Sequence, residues 1–184
     1  QLLTFSQGGK PVKKLIDLRP VVETAAKFAL SGSRSDYRFV ADNGLWQAEA
    51  DEGQISQVIQ NIILNARHAM PEGGTIQVTC RNVLKPECES ISLDCNLQFI
   101  KITIRDTGVG IPENVISKIF DPYFTTKELG EGTGLGLAVV HGIVKDYGGD
   151  IFVESILEKG TTFTILLPVT ASAEHERLTI KNEQ

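Results

Sequence analysis

The sequence predicts an α+β fold, a two-layer sandwich of a mixed β-sheet packed on about three helices. Three observations lead there. Strands and helices are mixed without the regular βαβ alternation that a doubly wound sheet requires. A long segment over 54–70 gathers its apolar residues on one helical stripe. The stretch "DIFVESILEKGTTFTILLPV" reads as a hairpin of two apolar-rich strands. The 184 residues suit one domain with a sizeable core, and 41% hydrophobic with 22% charged residues excludes wholesale disorder.

Taken in order, "LLTFS" has the look of the last turn of a helix that began upstream, stopped by the glycines and proline of "QGGKP". The chain is therefore expected to be a piece of a longer protein. Residues 1–12 would be a helix end and linker, 13–170 the domain, and 171–184 a polar tail or linker. "DLRPVVETAAKFAL" has helical periodicity with Pro20 tolerated in the first turn. "YRFVADN" and "WQAEA" follow as short strands around an Asn43-Gly44 turn. The long helix ends before Gly73-Gly74. "TIQVTCRNVL" and "QFIKITIRD" are strands, joined by the loop "KPECESISLDCN". Only "ENVISKIF" looks helical between Thr107 and Thr133. A glycine run then opens a helix to about Tyr147, which Gly148-Gly149 stops.

The net charge of −5 and pI near 5.2 argue against a nucleic-acid-binding surface, which is normally basic. An acidic chain can still hold a phosphate through backbone amides. Cys80, Cys88 and Cys95 are odd in number and lack CxxC spacing, so they read as free thiols in a reducing compartment. No stretch approaches the roughly 18 apolar residues of a membrane span, and the opening is no signal peptide. A cytoplasmic location is expected, in a free protein or as the cytoplasmic part of a membrane-bound sensor, with no direct membrane contact by this domain.

Three constellations carry candidate chemistry. On the long helix, Ile55, Val58, Ile59, Ile62, Ile63, Ala66, Ala69 and Met70 form the core stripe, and Asn61 and Asn65 lie one turn apart along its edge with His68. Asparagine is a poor helix-interior residue, so the pair is either a solvated flank or a row of oxygens suited to a hard cation such as magnesium. In "IKITIRDTGVGIPE", period 2 places Asp106 in phase with Ile100, Ile102 and Ile104. An inward carboxylate needs a donor: its own loop, as an Asx turn, or the exocyclic amine of an adenine. In "GEGTGLGL", four alternating glycines lead straight into a helix. This is neither GxxxxGK[ST] nor GxGxxG, because Leu135, Leu137 and Val139 stand where the third glycine would fall. It is either a flexible hinge or a close approach to phosphate at a helix N-terminus.

The order of the motifs is more specific than any one of them. "QVIQNIILNARHAM", "DTGVGIPE", "IFDPYFTTK", "GTGLGL" and "EKGTTF" resemble, in sequence order, the boxes of the sensor histidine kinase ATP-binding domain, a member of the wider GHKL ATPases. The resemblance covers about Leu18 to Val169. It implies a Bergerat-type fold with a mobile ATP lid, and ATP and magnesium as ligands. Asn65 matches the magnesium ligand and Asn61 the neighbouring polar group, which together are the catalytic pair. His68 stands where relatives place a basic or acidic residue, and reads either as a phosphate contact or as a packed or solvent-facing histidine. Lys127 reads either as a neutraliser of phosphate charge or as an exposed surface lysine. Asp106 matches the aspartate that recognises the adenine amine, with Gly108, Gly110 and Ile111 beside the base. Thr161 matches the hydroxyl residue linked to that aspartate through water. Gly132, Thr133, Gly134, Leu135 and Gly136 would wrap the phosphates at the lid's C-terminal hinge, while Phe120, Pro122 and Phe124 anchor the lid by packing.

The resemblance implies phosphoryl transfer to a histidine on a dimerisation domain of the same kinase, a homodimer in full length, and relay to a response regulator receiver domain. No histidine precedes Asn61, and His141 is expected to be structural. His175-Glu176 begins an HExxH pattern whose second histidine is missing. The rival readings are another GHKL ATPase and a catalytically silent ATP-sensing module. Against the first, relatives that hydrolyse ATP place a general-base glutamate where Asn61 stands, and an amide cannot take a proton from water.

Overall fold

Two aspartates decide where the main helices begin. The computed structural model describes residues 11–84, 98–126 and 133–169. Helix α1 (Leu18–Ala29) is capped by Asp17, whose side chain accepts from the Arg19 amide at 2.9 Å. Helix α2 (Glu52–His68) is capped by Asp51, which accepts from Gln54 at 3.0 Å. Their apolar stripes pack against each other and against the sheet. Leu18, Val22 and Ala26 face Ile55, Ile59, Ile62 and Ile63 in one core, all of them buried. The expected stripe holds except at Ala69, which caps the C-terminus of α2 and turns toward the loop after the following strands.

The main sheet has five strands: β2 (Asp36–Ala41), β4 (Thr75–Val83), β5 (Phe99–Asp106), β6 (Asp150–Ile156) and β7 (Gly160–Pro168). Their spatial order is β2-β4-β5-β7-β6, with β2 and β4 parallel and the other pairs antiparallel. Alternation on β5 buries Ile100, Ile102, Ile104 and Asp106 on the helix side. Helix α4 (Gly136–Asp146) closes the helical layer through Val140, Ile143 and Val144. The mixed sheet on three principal helices is the predicted sandwich.

Two local expectations change. The segments around Asn43-Gly44 do not pair with each other. Strand β2 joins the main sheet, whereas β3 (Gln47–Ala50) pairs antiparallel with β1 (Lys14–Asp17), a strand too short for its single inward Ile16 to signal. The turn is real, with Gly44 at φ +76°, but Asn82 of β4 pulls it over. Asn82 donates to Gly44 O at 3.1 Å and accepts from the Trp46 amide at 3.0 Å. Likewise "ENVISKIF" gives only a four-residue helix, α3 (Glu113–Ile116), after which the chain continues in turns bonded three residues back. The expected helix end at "LLTFS", the "KPECESISLDCN" loop with Cys88 and Cys95, and the tail with His175 lie outside the described residues.

Candidate functional site

Among the described residues, the buried polar side chains are Asp106, 3% exposed, and Thr161, 5% exposed, and they touch. Asp106 ends β5 in the inward phase, and Thr161 begins β7 beside it. Oδ1 of Asp106 accepts from the Gly108 amide at 2.8 Å and from the Thr161 amide at 3.2 Å. The first bond is the Asx turn that the sequence allowed. Oδ2 takes none of the bonds found among the described residues. Burial pushes the carboxyl above the ordinary carboxylate value, against the pull of its two backbone donors.

Glycines let this corner close. An added Cβ at Gly160 (φ +109°) would meet the Asp106 carbonyl, and one at Gly110 (φ +74°) would meet the Ile156 carbonyl. An added Cβ at Gly108 would meet Ala69. Ser155 of β6 joins the pieces: its Oγ lies 2.8 Å from Ile111 N, 3.0 Å from Gly160 O and 2.9 Å from Thr161 Oγ1.

Above this corner is an open cavity of about 730 Å³, within the usual range for small-molecule sites. One side is the edge of α2, with Asn61, Asn65 and His68. The floor is Asp106, Thr161 and Phe163. Val109, Ile111, Pro112, Val115, Ile119 and Phe124 make an apolar wall suited to a flat base. The far end is Thr133, Gly134, Gly136 and Leu137, at the N-terminus of α4. Among the described residues no side chain caps that helix, which leaves its first amides and the positive end of its dipole at this end of the cavity. Asn61 Nδ2 donates one of its two hydrogens to Gly136 O at 3.1 Å, tying α2 to the glycine run.

The structure thus gathers Asn61, Asn65, His68, Asp106, Gly110, Ile111, Thr133, Gly134, Gly136 and Thr161 around one cavity. Leu135 stands at the helix start without lining it. Lys127 and Gly132 lie outside the described residues. Phe124 is a wall residue as well as an anchor, while Phe120 packs on His141 with ring centroids 5.4 Å apart, the structural role expected for that histidine. At the neck of the glycine run, the Tyr123 amide donates to Gly134 O at 2.9 Å, and both residues have positive φ. The sequence reading missed Ser155 and the apolar wall of Val115 and Ile119. An alternating strand hides a single serine, and a four-residue helix is too short to show a stripe.

Residues 50–171 match the family described as histidine kinase-, DNA gyrase B- and HSP90-like ATPases. The chain belongs to that family. Among members of this ATPase family, it is similar to the sensor kinase CckA of Brucella abortus, at 42% identity over 91% of this chain and 18% of that protein. It is also similar to the sensor histidine kinase ZraS of Salmonella typhimurium, at 42% identity over 73% of this chain and 26% of that protein. The chain thus spans about a quarter or less of these two relatives. The nucleotide-free catalytic domain of the histidine kinase ThkA superposes with a TM-score of 0.68 at 29% identity, covering 85% of this chain and 97% of that one. ThkA has also been solved in complex with the response regulator protein TrrA; that kinase matches at 26% identity and a TM-score of 0.67, covering 92% of this chain and 45% of that one.

Proposed function

We propose that this domain, on the cytoplasmic side, holds ATP with magnesium and delivers the γ-phosphoryl group to a histidine of a dimerisation domain outside these residues, within a homodimeric parent kinase. The phosphorylated histidine would then serve an aspartate on a response regulator receiver domain. The observation that carries the reading is the cavity itself. It sets a buried carboxylate at an apolar slot and an uncapped helix N-terminus at the other end, as an adenine and a polyphosphate require.

Asp106 accepts from the exocyclic amine of the base through Oδ2, while Val109, Ile111 and Ile119 exclude water from its faces. The amides of Gly136 and Leu137 receive phosphate oxygens. Asn65 offers its side-chain oxygen to magnesium, which when bound neutralises charge on the phosphates. In the transfer, a nitrogen–phosphorus bond forms on the acceptor imidazole as the bond between the γ-phosphorus and the bridging oxygen breaks, and ADP leaves. Asn61 acts as a joint: one hydrogen of its amide goes to Gly136 O, and it carries no group that takes a proton from water. His68, on the cavity wall, would contact phosphate oxygens; Lys127 lies outside the described residues.

The domain alone is therefore expected to bind ATP with negligible hydrolysis. Adding the parent's histidine-bearing hairpin should yield acid-labile phosphate on that hairpin. Rapid ATP turnover without acceptor would sink the kinase reading in favour of an ATP-hydrolysing relative. Binding with no transfer to the hairpin would favour a silent ATP-sensing module.

A further inference from the structure

The hydrogens around Ser155 can be counted. A serine hydroxyl has one hydrogen and two lone pairs. Of its three neighbours, Gly160 O at 3.0 Å can only accept and Ile111 N at 2.8 Å can only donate. The single hydrogen of Ser155 therefore goes to Gly160, and one lone pair takes the Ile111 amide. In the remaining contact, 2.9 Å to Thr161 Oγ1, Ser155 has only a lone pair to offer, so Thr161 is the donor. The two residues are register partners across β6 and β7, which fixes the pairing. Thr161 has then spent its only hydrogen, and what it shows the cavity is lone pairs. The neighbouring ionised Asp106 is likewise an acceptor.

We propose that Ser155 is a specificity-positioning residue: by taking the Thr161 hydrogen, it makes the floor of the cavity an acceptor-only surface that admits purines carrying an exocyclic amine and rejects those carrying an exocyclic carbonyl. This rests on the adenine-nucleotide reading above. A carbonyl turned to this floor meets only acceptors and leaves buried groups unpaired, which discriminates far more sharply than a change of shape. Removing the Ser155 hydroxyl frees the Thr161 hydrogen to rotate into the cavity, where it can donate to such a carbonyl.

The test is the ratio of Kd for inosine triphosphate to Kd for ATP, measured by calorimetry on the full 184-residue chain with magnesium. The wild type should favour ATP. Ser155→Ala should shrink that preference by about tenfold or more, the equivalent of one buried hydrogen bond. Ser155→Cys, which keeps the bulk but has a weak donor and acceptor, should shrink it in the same direction, so a folding defect in the alanine variant does not block the measurement. With Thr161→Val as background, Ser155→Ala should leave the ratio unmoved. A wild-type preference that survives both Ser155 substitutions overturns the proposal alone. The same holds if the ratio moves equally with and without the Thr161 hydroxyl. A wild type that binds both nucleotides equally overturns the adenine reading, and the proposal with it.

Discussion

Asp106 is held in a position that costs stability. Its carboxyl is raised above its unfolded value, so the folded state keeps the proton more tightly than the unfolded chain does. Its contribution to stability is thus fully present below the unfolded value of 3.8 and is lost as pH rises through the higher folded value. Asp106→Asn removes the charge while retaining an Oδ1 that accepts from Gly108 and Thr161. Urea denaturation across pH 4 to 8 should show the variant gaining on the wild type as pH rises, while its affinity for ATP drops by about 1.5–3 kcal/mol, the value of a charge-assisted hydrogen bond. Equal ATP affinity in the two proteins would remove the base-recognition role. Asp106 was legible in the sequence because strand period and three isoleucines fix its phase. Ser155 was not, because its importance lies in a hydrogen count across two strands that no spacing encodes.

Elements fail or hold at their ends. Asp51 caps α2 and also accepts from the Val12 amide through Oδ2, and these backbone donors, Gln54 foremost, pull its carboxyl below the ordinary value. Its stabilisation is present above the unfolded value of 3.8 and is lost as pH falls through the folded one. Asp51→Ala should lower the urea midpoint by the equivalent of about 1–2 kcal/mol with m unchanged, whereas Asp51→Asn should keep most of the cap and lose its acid sensitivity. Two glycines of the same region should respond in opposite directions. Gly142 lies inside α4 with open space around it, so Gly142→Ala should stabilise by about 0.5–1 kcal/mol. Gly134 has φ +64°, and a Cβ there would press on the backbone of Tyr123, so Gly134→Ala should lower Tm and break the bond between those two residues. The long helices were legible from their apolar stripes, not from the aspartates that cap them. The exchange of β3 between sheets was not, because the residue that decides it, Asn82, lies 36 positions beyond the Trp46 amide it holds.

At the scale of the molecule, the cavity draws its walls from α2, β5, α4 and β7, so ligand and fold are thermodynamically linked. ATP at about 100 times its Kd should add roughly 2.7 kcal/mol to stability, a Tm rise of about 5–10 °C for a chain of this size, readable by thermal shift. Asp106→Asn should erase most of that rise without lowering the starting Tm at neutral pH. The strand order has a consequence for synthesis. Among the described strands, β7 leaves the ribosome last, yet it lies between β5 and β6. Until then, β5 presents a bare edge to every neighbouring nascent chain, and β6 has no strand to pair with. A translation product halted near residue 158 should be captured by chaperones or pelleted, while one extended past Pro168 should not. The newest residues of the domain are the ones that turn a sticky intermediate into a soluble protein.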